Sequence, residues 1–222
     1  MITLESITKS YEIGQRELQV LRDLSFHVDK GEMVAIMGPS GSGKSTTLNV
    51  LGCLDRPTSG SYLLDGRDVS KLSRKELANV RAGKIGFVFQ SYNLLPRMSA
   101  LENVKLGLRY AGLRDTQMAR DALQRVGLGD RVGHRPNELS GGEQQRVAIA
   151  RAISKQPPVI LADEPTGNLD SRSSEEIMNI LVSLHKEQDN TLIMITHEPD
   201  MAAYCQRIIH LKDGQVVRDE RL

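Results

Sequence analysis

Residues Gly38–Ser45 read GPSGSGKS, which fits the phosphate-binding loop pattern G-x-x-x-x-G-K-[ST]. Glycines let backbone N–H groups turn inward around phosphate oxygens, and a helix starting near Lys44 points the positive end of its dipole at the same anion. We expect the Lys44 ammonium to reach the β- and γ-phosphates of a nucleoside triphosphate, and the Ser45 hydroxyl to ligate Mg²⁺. The alternative is a glycine-rich turn with an incidental lysine.

The residues on either side of this loop predict a strand before it and a helix after it. Residues 32–37 form a short apolar run that suits a buried strand, and the predicted helix at 44–54 carries Leu48 and Leu51 on one side. A phosphate loop requires this strand–loop–helix context. The context therefore favours the nucleotide-binding interpretation over the incidental turn.

Strands alternate with helices toward both ends of the chain, and a mostly helical stretch from about residue 91 to 133 lies between them. Capping-box pairs at Ser99/Glu102 and Ser140/Glu143 predict two helix starts. Further strands are predicted at 2–7, 20–28, 61–64 (an edge strand), 85–89 (a central strand), 159–162 and 191–196. A hairpin with a type I′ turn at Asp213-Gly214 follows. The pattern indicates a doubly wound α/β core interrupted by a helical insertion.

The composition is that of an ordinary globular domain. The chain has 222 residues, of which 39% are hydrophobic and 26% charged, and a net charge of +1 that does not indicate a polyanion-binding surface. Cys53 and Cys205 lack metal-ligand spacing and are expected to be reduced, partly buried thiols. No secretory leader is expected. No apolar run approaches the roughly 18–20 residues of a spanning helix, so this chain is not expected to cross a bilayer alone.

The apolar strand at 159–162 is followed by two carboxylates, Asp163 and Glu164. Adjacent strand residues point to opposite faces, so the two acids are expected to have different roles. Asp163 is placed to hold a magnesium shell, commonly through water, and Glu164 to polarise an attacking water. Without the phosphate loop, such an ending would be more typical of a helix cap or a solvated turn.

Residues Leu139–Gln145 read LSGGEQQ. Ser140 and Glu143 suit a helix cap, but two glycines weaken a first turn, and close approach of an anion would favour them. This stretch resembles the signature motif of ATP-binding-cassette (ABC) ATPases, usually written LSGGQ. The fifth position here is Glu143, a substitution that also occurs in the family. It leaves the roles of Ser140 and the glycine backbone intact.

Other residues match that family in order along the chain. Tyr11 resembles the aromatic that stacks on adenine, and Gln90 the glutamine that contacts Mg²⁺ and the catalytic water. Asn168–Asp170 resembles the loop that crosses to the partner subunit, and His197 the histidine that contacts the γ-phosphate. Each has a simpler alternative: a surface aromatic for Tyr11, a strand-end histidine for His197 and a helix N-cap for Asp170.

The resemblance covers essentially the whole chain and implies a fold. That fold is a P-loop NTPase (RecA-like) α/β core with an antiparallel β subdomain and an inserted helical subdomain. Residues 1–222 would form a single ABC ATPase domain. The core would comprise 1–90 and 151–222, and the helical subdomain 91–150, including the signature. A hinge near Gln90 would pass motion from this subdomain to a membrane partner.

The resemblance also implies an ATPase that uses ATP and Mg²⁺. Its catalytic residues would be Lys44, Gln90, Glu164 and His197, its metal ligands Ser45, Gln90 and Asp163, and its dimer contact Asp170. The nucleotide-binding residues would be Tyr11, Gly38, Pro39, Ser40, Gly41, Ser42, Gly43, Lys44, Ser45 and Thr46, joined in trans by Ser140, Gly141 and Gly142 of a second copy.

The implied mechanism pairs two cassettes head to tail, with each ATP between the phosphate loop of one and the signature of the other. The implied partners are a second cassette, membrane-spanning permease subunits and, through the permease, a periplasmic or extracellular adaptor. No nucleic acid is implied. The chain would lie peripherally on the cytoplasmic face of the inner membrane.

Four further stretches resemble the branch of macrolide-export and lipoprotein-releasing ATPases: Gly52–Gly60 (GCLDRPTSG), Gly86–Gln90 (GFVFQ), Leu94–Pro96 and Asp163–Asp170 (DEPTGNLD). The expected function is export or extraction of a substrate through separate membrane-spanning subunits, because the chain resembles the stand-alone form. A cassette does not specify its cargo.

Two other functions fit parts of the pattern. A cassette of this kind can regulate a cell-wall hydrolase through a membrane partner, and its motifs would look the same. The other is a soluble ABC ATPase of repair, chromosome or translation type. Only 96 residues separate Lys44 from Ser140, too few for a long coiled coil, and one cassette is present rather than two. The signature argues against a small-molecule kinase.

Overall fold

The computed structural model describes residues 1–14 and 16–222. These residues form two compact units, one made of Met1–Arg81 and Thr191–Leu222, and the other of Ala82–Asn190. The predicted helical subdomain, 91–150, falls within the second unit. The predicted division into core and helical subdomain stays a prediction.

The secondary structure alternates as the sequence predicts, with three additions. In chain order the elements are β1 (Ile2–Ile13), β2 (Arg16–Val28), β3 (Met33–Met37), α1 (Lys44–Leu51), β4 (Ser59–Leu64), β5 (Arg67–Asp68), α2 (Arg74–Lys84), β6 (Ile85–Phe89), α3 (Ala100–Tyr110), α4 (Thr116–Arg125), α5 (Gly141–Ile153), β7 (Val159–Asp163), α6 (Ser171–Gln188), β8 (Thr191–Ile195), α7 (Pro199–Ala202), β9 (Arg207–Lys212) and β10 (Gln215–Arg221). Short 3-10 helices lie at Gly129–Arg131 and Pro136–Glu138. The additions are β5, α2 and α7, none of which the sequence predicted; Leu77 is the one buried residue of α2.

The first unit contains an antiparallel sheet in the order β2-β1-β4-β5. Alternation in β1 buries Ile2, Leu4 and Ile7. The prediction that β4 lies at the edge was wrong, because the two-residue strand β5 pairs with its end at Leu63 and Leu64. The strands β1 and β2 also run further than predicted, because their distal ends are paired through the backbone although they are largely exposed and show no apolar–polar alternation.

Three parallel strands, β3, β8 and β9, lie side by side in the first unit. Strand β3 pairs in parallel with β8 on one side and β9 on the other. Val34, Ala35 and Ile36 are fully buried, which explains the continuous apolar run in the sequence. The predicted β9–β10 hairpin is confirmed: Asp213 (φ 50°) and Gly214 (φ 80°) both have the positive φ that a type I′ turn requires.

In the second unit, β6 and β7 pair in parallel, with Ile85 opposite Val159. The prediction that β6 is a central strand was wrong, since within the described residues it ends the order of its sheet. Its apolar sequence has another cause, because α5 packs against it. A Cβ on Gly86 would lie 2.7 Å from the Ala152 carbonyl oxygen, so helix and strand approach closely there.

Helices α3, α4 and α5 pack together in the second unit. Both predicted capping boxes are present, with Ser99 accepting from the Glu102 amide and Ser140 from the Glu143 amide. No helix among residues 1–14 and 16–222 is both long and apolar enough to cross a membrane.

A buried ion network ties β9 to β10 and β3. The Arg207 guanidinium, 6% exposed, donates to Asp219 at 2.6 and 2.7 Å, to Glu32 at 3.1 Å and to the His27 carbonyl at 3.1 Å. The hydrogen bonds from Arg207, opposed by partial burial, hold the pKa of Asp219 below its usual range. The network fixes the hairpin against the centre of the sheet.

We predict that Asp219→Asn lowers the free energy of unfolding by about 1–3 kcal/mol at pH 7, because the buried Arg207 guanidinium loses one of its two charged acceptors and keeps only Glu32. Since the folded-state pKa of Asp219 is depressed, its contribution is present above the unfolded pKa of about 3.9 and is lost as pH falls through the folded pKa. Urea unfolding at pH 7 and at low pH measures this. The control is Arg218→Gln, whose side chain is 67% exposed and should change stability by less than about 0.5 kcal/mol. Equal losses in the two variants would contradict the prediction.

Candidate nucleotide-binding site

The loop at 38–43 presents an uncapped helix start. Gly43 is the N-cap of α1, has φ 99° and provides no side-chain cap, so the first turn keeps amide donors available to an anion. Gly38 is required for a different reason: a Cβ there would lie 2.2 Å from the Leu211 carbonyl oxygen of β9. Gly43 therefore leaves the helix amides uncapped, and Gly38 lets the loop pack closely against β9.

Lys44 folds back over this loop. Its ammonium donates to the carbonyl oxygens of Gly38 (2.7 Å) and Pro39 (2.9 Å), which leaves one of its three N–H donors for a phosphate. The buried Ser42 hydroxyl has no hydrogen-bond partner among the described residues. Ser45 is exposed and Thr46 half-buried at the start of α1. An orphaned hydroxyl and a spare ammonium proton beside bare helix amides fit a phosphate chain.

Tyr11 is held beside α1 by contacts that the sequence analysis did not predict. Its hydroxyl donates to Asp55 at 3.0 Å. The Lys9 ammonium lies 4.7 Å from the centre of the Tyr11 ring and 2.8 Å from Asp55. The structure thus brings Tyr11 to the helix that carries the phosphate loop.

His197 lies at the same end of the sheet as the phosphate loop. It follows β8, in which Ile195 pairs with Ile36 just before the loop begins, and the Thr196 amide donates to the Ile36 carbonyl. The His197 side chain is exposed. The carboxyl ends of parallel strands are where α/β sheets bind ligands, so this position suits a phosphate contact.

In the second unit, Gln90, Asp163 and Glu164 meet at one edge of the β6–β7 pair. Phe89 pairs with Asp163, so Gln90 and Glu164 each directly follow a paired residue. Glu164 has φ 43°, a left-handed conformation that is uncommon away from glycine and clusters at functional sites. The structure brings these three predicted residues together.

The loop after Glu164 is joined to Gln90 by reciprocal hydrogen bonds. Gln90 donates through its side chain to the Asn168 amide oxygen at 3.3 Å, and the Asn168 side chain donates to the Gln90 carbonyl at 3.0 Å. Asp170 caps α6 by accepting from the Ser173 amide and hydroxyl, and these hydrogen bonds hold the pKa of Asp170 below its usual range. The N-cap role is therefore present, and the dimer contact stays a prediction.

The predicted signature starts α5 and lies against the segment after Gln90 and the loop after Glu164. Ser140 is exposed, and the missing side chain of Gly141 would meet the Tyr92 hydroxyl at 3.1 Å and Leu169 at 3.4 Å. Gly142 faces Ser173. A larger residue than glycine at 141 would press on Tyr92, so Gly141 keeps this helix start close to its neighbours, while the Ser140/Glu143 capping box caps its first turn.

Arg151, which the sequence analysis missed, clamps the segment after Gln90. From the C-terminal half of α5 it donates to the carbonyl oxygens of Tyr92 (2.7 Å) and Asn93 (2.5 Å), two consecutive residues with positive φ. Burial lowers the pKa of Arg151. Tyr92 therefore contacts both the start of α5, at Gly141, and its later turns. An arginine within an ordinary helical pattern carries no sequence signal for such a clamp.

Comparison with known proteins decides the family. The model of the ABC transporter family matches residues 21–167 of this chain. The chain belongs to that family. An uncharacterised ABC transporter ATP-binding protein of Bacillus subtilis, YvrO, is 52% identical to this chain. The match covers 100% of this chain and 97% of YvrO. A macrolide export ATP-binding/permease protein, MacB 1/2 of Paracoccus denitrificans, is 51% identical over all of this chain, which covers 33% of that protein.

Solved ABC cassettes have the same fold. The dimeric MJ0796 cassette in a post-hydrolysis state bound to ADP and Pi superposes with a TM-score of 0.92 at 45% identity, and covers 100% of this chain and 99% of that one. The protein MJ0796 comes from Methanocaldococcus jannaschii. This chain is accordingly an ABC ATPase cassette with the P-loop NTPase fold, and it binds and hydrolyses ATP. The expected fold class, enzyme class and use of ATP are confirmed.

The donor set also fits magnesium held largely by substrate. Within the part of the chain that the structure describes, no three His, Cys, Asp or Glu side chains form a cluster suited to a metal. Mg²⁺ binds a few protein oxygens together with phosphate oxygens and water. The Ser45 hydroxyl of the first unit, and the Gln90 amide and Asp163 carboxylate of the second unit, are oxygen donors of that kind.

We predict that Gly38→Ala weakens ATP binding and lowers the free energy of unfolding by about 1–3 kcal/mol, because the new methyl would strike the backbone of β9. Gly83→Ala is the control. Gly83 lies in α2 with no atom within 4 Å of its Cβ position, so alanine should raise the free energy of unfolding by about 0.5–1 kcal/mol. Thermal unfolding and equilibrium binding of labelled ATP measure both. Wild-type ATP affinity in Gly38→Ala would refute the close-approach argument.

Proposed function

We propose that this cassette hydrolyses ATP at a site shared by two copies, with Glu164 as general base, and thereby powers export or extraction of a substrate through separate membrane-spanning subunits. The single observation that carries the proposal is the match, over the whole chain, to a dimeric cassette bound to ADP and Pi. The local geometry of the two units supports it.

Each copy offers two helix starts that suit phosphate. One is the uncapped start of α1 after Gly43, and the other is the exposed start of α5 at Ser140 with two glycines behind it. A phosphate contact with a partner's nucleotide would give the glycines of α5 a role in addition to the close packing of Gly141 against Tyr92. In this proposal Ser140, Gly141 and Gly142 act on the nucleotide of the other copy.

The residues at the strand ends then divide the chemistry. Lys44 and the loop amides neutralise the phosphate chain, and His197 contacts the γ-phosphate from the end of β8. Ser45, Gln90 and Asp163 hold Mg²⁺, which supplies charge neutralisation on the phosphate oxygens. Glu164 accepts the proton of the attacking water. The left-handed backbone at Glu164 turns its side chain away from the direction that strand alternation would give it.

The transport part of the proposal is supported by relatives. Macrolide export proteins of the MacB type are named as joint ATP-binding/permease chains, and this chain covers 33% of one of them and 34% of another. We propose a peripheral position on the cytoplasmic face of the inner membrane, with permease subunits as partners and an adaptor reached through them. Asp170 lies at the dimer contact.

We predict that Glu164→Gln retains ATP affinity but lowers the steady-state ATPase rate by about 10²–10⁴-fold, because an amide cannot accept the proton. Glu175→Gln, at an exposed position of α6, is the matched control and should keep the wild-type rate. Phosphate release under saturating ATP and Mg²⁺, with ATP binding measured in parallel, gives both quantities. Turnover of Glu164→Gln at the wild-type rate would show that another group is the base.

A further inference from the structure

The Tyr11 ring is fixed on one face and at its hydroxyl. The Lys9 ammonium covers one face at 4.7 Å from the ring centre, and it also bonds Asp55 and the Arg56 carbonyl, each at 2.8 Å. Lys9 is only 9% exposed, and a lysine is rarely this buried unless it is paired, as Lys9 is with Asp55. The hydroxyl donates to Asp55 at 3.0 Å. The Asp55 carboxylate therefore binds both the Lys9 ammonium and the Tyr11 hydroxyl.

Asp55 belongs to the turn that ends the phosphate-loop helix. Its backbone amide donates to the Asn49 carbonyl of α1. The tyrosine is thus bound to the turn just beyond the end of α1. Its position relative to the phosphate loop is set by the helix itself rather than by the strand β1 alone.

The protonation states of these groups match the contacts. Burial alone would raise the pKa of Asp55, but hydrogen bonds from Lys9, the Arg56 amide and Tyr11 outweigh it and bring the pKa below its usual range. Burial and the Asp55 carboxylate both raise the pKa of Tyr11, which keeps its hydroxyl a neutral donor. At neutral pH the cluster therefore consists of a carboxylate, an ammonium and a phenol.

A cation on one face of an aromatic ring leaves only the opposite face for a stacked base. The ammonium also draws on the electron density of the ring, and cation–π contacts of this kind strengthen when the cation is desolvated, as Lys9 is. Base–aromatic stacking depends on where the ring face lies, so any freedom of Tyr11 would weaken it. The cluster removes that freedom.

We propose that Lys9 and Asp55 are positioning residues for the nucleobase: they hold Tyr11 at a fixed distance from the phosphate loop and direct the purine of ATP to the ring face opposite Lys9. This inference rests on the proposed role of Tyr11 in stacking on adenine. It assigns to this nucleotide site two residues that need not touch the nucleotide.

The test compares ATP with inorganic tripolyphosphate, which carries the charges of the phosphate chain but no base. Lys9→Met should weaken ATP binding about 3–10-fold and leave tripolyphosphate binding unchanged, because only the base contact is affected. Lys9→Arg retains a cation over the ring and should restore most of the ATP affinity. Lys75→Met, at an exposed position of α2, is the control. Isothermal titration in Mg²⁺ measures both ligands on each variant.

Two further variants separate the possible outcomes. Tyr11→Leu should weaken ATP binding and not tripolyphosphate binding, and adding Lys9→Met to it should cause no further loss, since the lysine acts through the ring. Should Lys9→Met prove unstable, Asp55→Asn tests the same cluster. A parallel loss for both ligands would show that the cluster only supports the fold, and this overturns the inference.

The same experiment distinguishes failure of the inference from failure of the underlying assignment. If Tyr11→Leu weakens ATP alone but Lys9→Met and Asp55→Asn do not, Tyr11 stacks on the base without their help and the inference is wrong. If Tyr11→Leu itself leaves the ATP affinity unchanged, the stacking role assigned to Tyr11 is wrong and the inference falls with it.

Discussion

Bare backbone amides at a helix start are the constraint on which the rest of this structure depends. Gly43 leaves the first-turn amides of α1 without a side-chain cap, so they can face a phosphate. The loop must also sit tightly on the sheet, and Gly38 allows it to lie against the Leu211 carbonyl. The largely buried strands β3, β8 and β9 flank the loop and hold it in place.

Each of the remaining chemical groups follows a parallel strand of its own unit. Gln90 and Glu164 follow paired strands of the second unit, and His197 follows β8 in the first. Side-chain networks then connect loops that belong to different elements. Asn168 joins Gln90 to the loop after Glu164, and Arg151 clamps the segment after Gln90 to the helix that begins at the signature. A displacement of α5 would therefore be felt at Gln90.

Much of the fold and the identity of the site residues could be predicted, because the phosphate loop and the signature are governed by local backbone requirements. The capping boxes and the type I′ hairpin were predictable for the same reason. The order of the strands in the sheet could not be predicted. The sequence of β6 is apolar because α5 packs on it, and an apolar run does not show whether a helix or a neighbouring strand buries it. The contacts of Lys9, Asp55 and Arg151 depend on residues 44 to 59 positions away in the chain, so no local pattern reveals them.

The central claim is that ATP is held between the phosphate loop of one copy and the signature of another. Light scattering coupled to size-exclusion chromatography of Glu164→Gln, with ATP and Mg²⁺, tests it most directly. The account predicts a mass near that of the 24.6 kDa chain without ATP and about twice that mass with ATP. It also predicts that adding Ser140→Arg abolishes the ATP-dependent dimer while ATP still binds. A dimer that forms equally well with Ser140→Arg, or one that forms without nucleotide, would contradict the shared site.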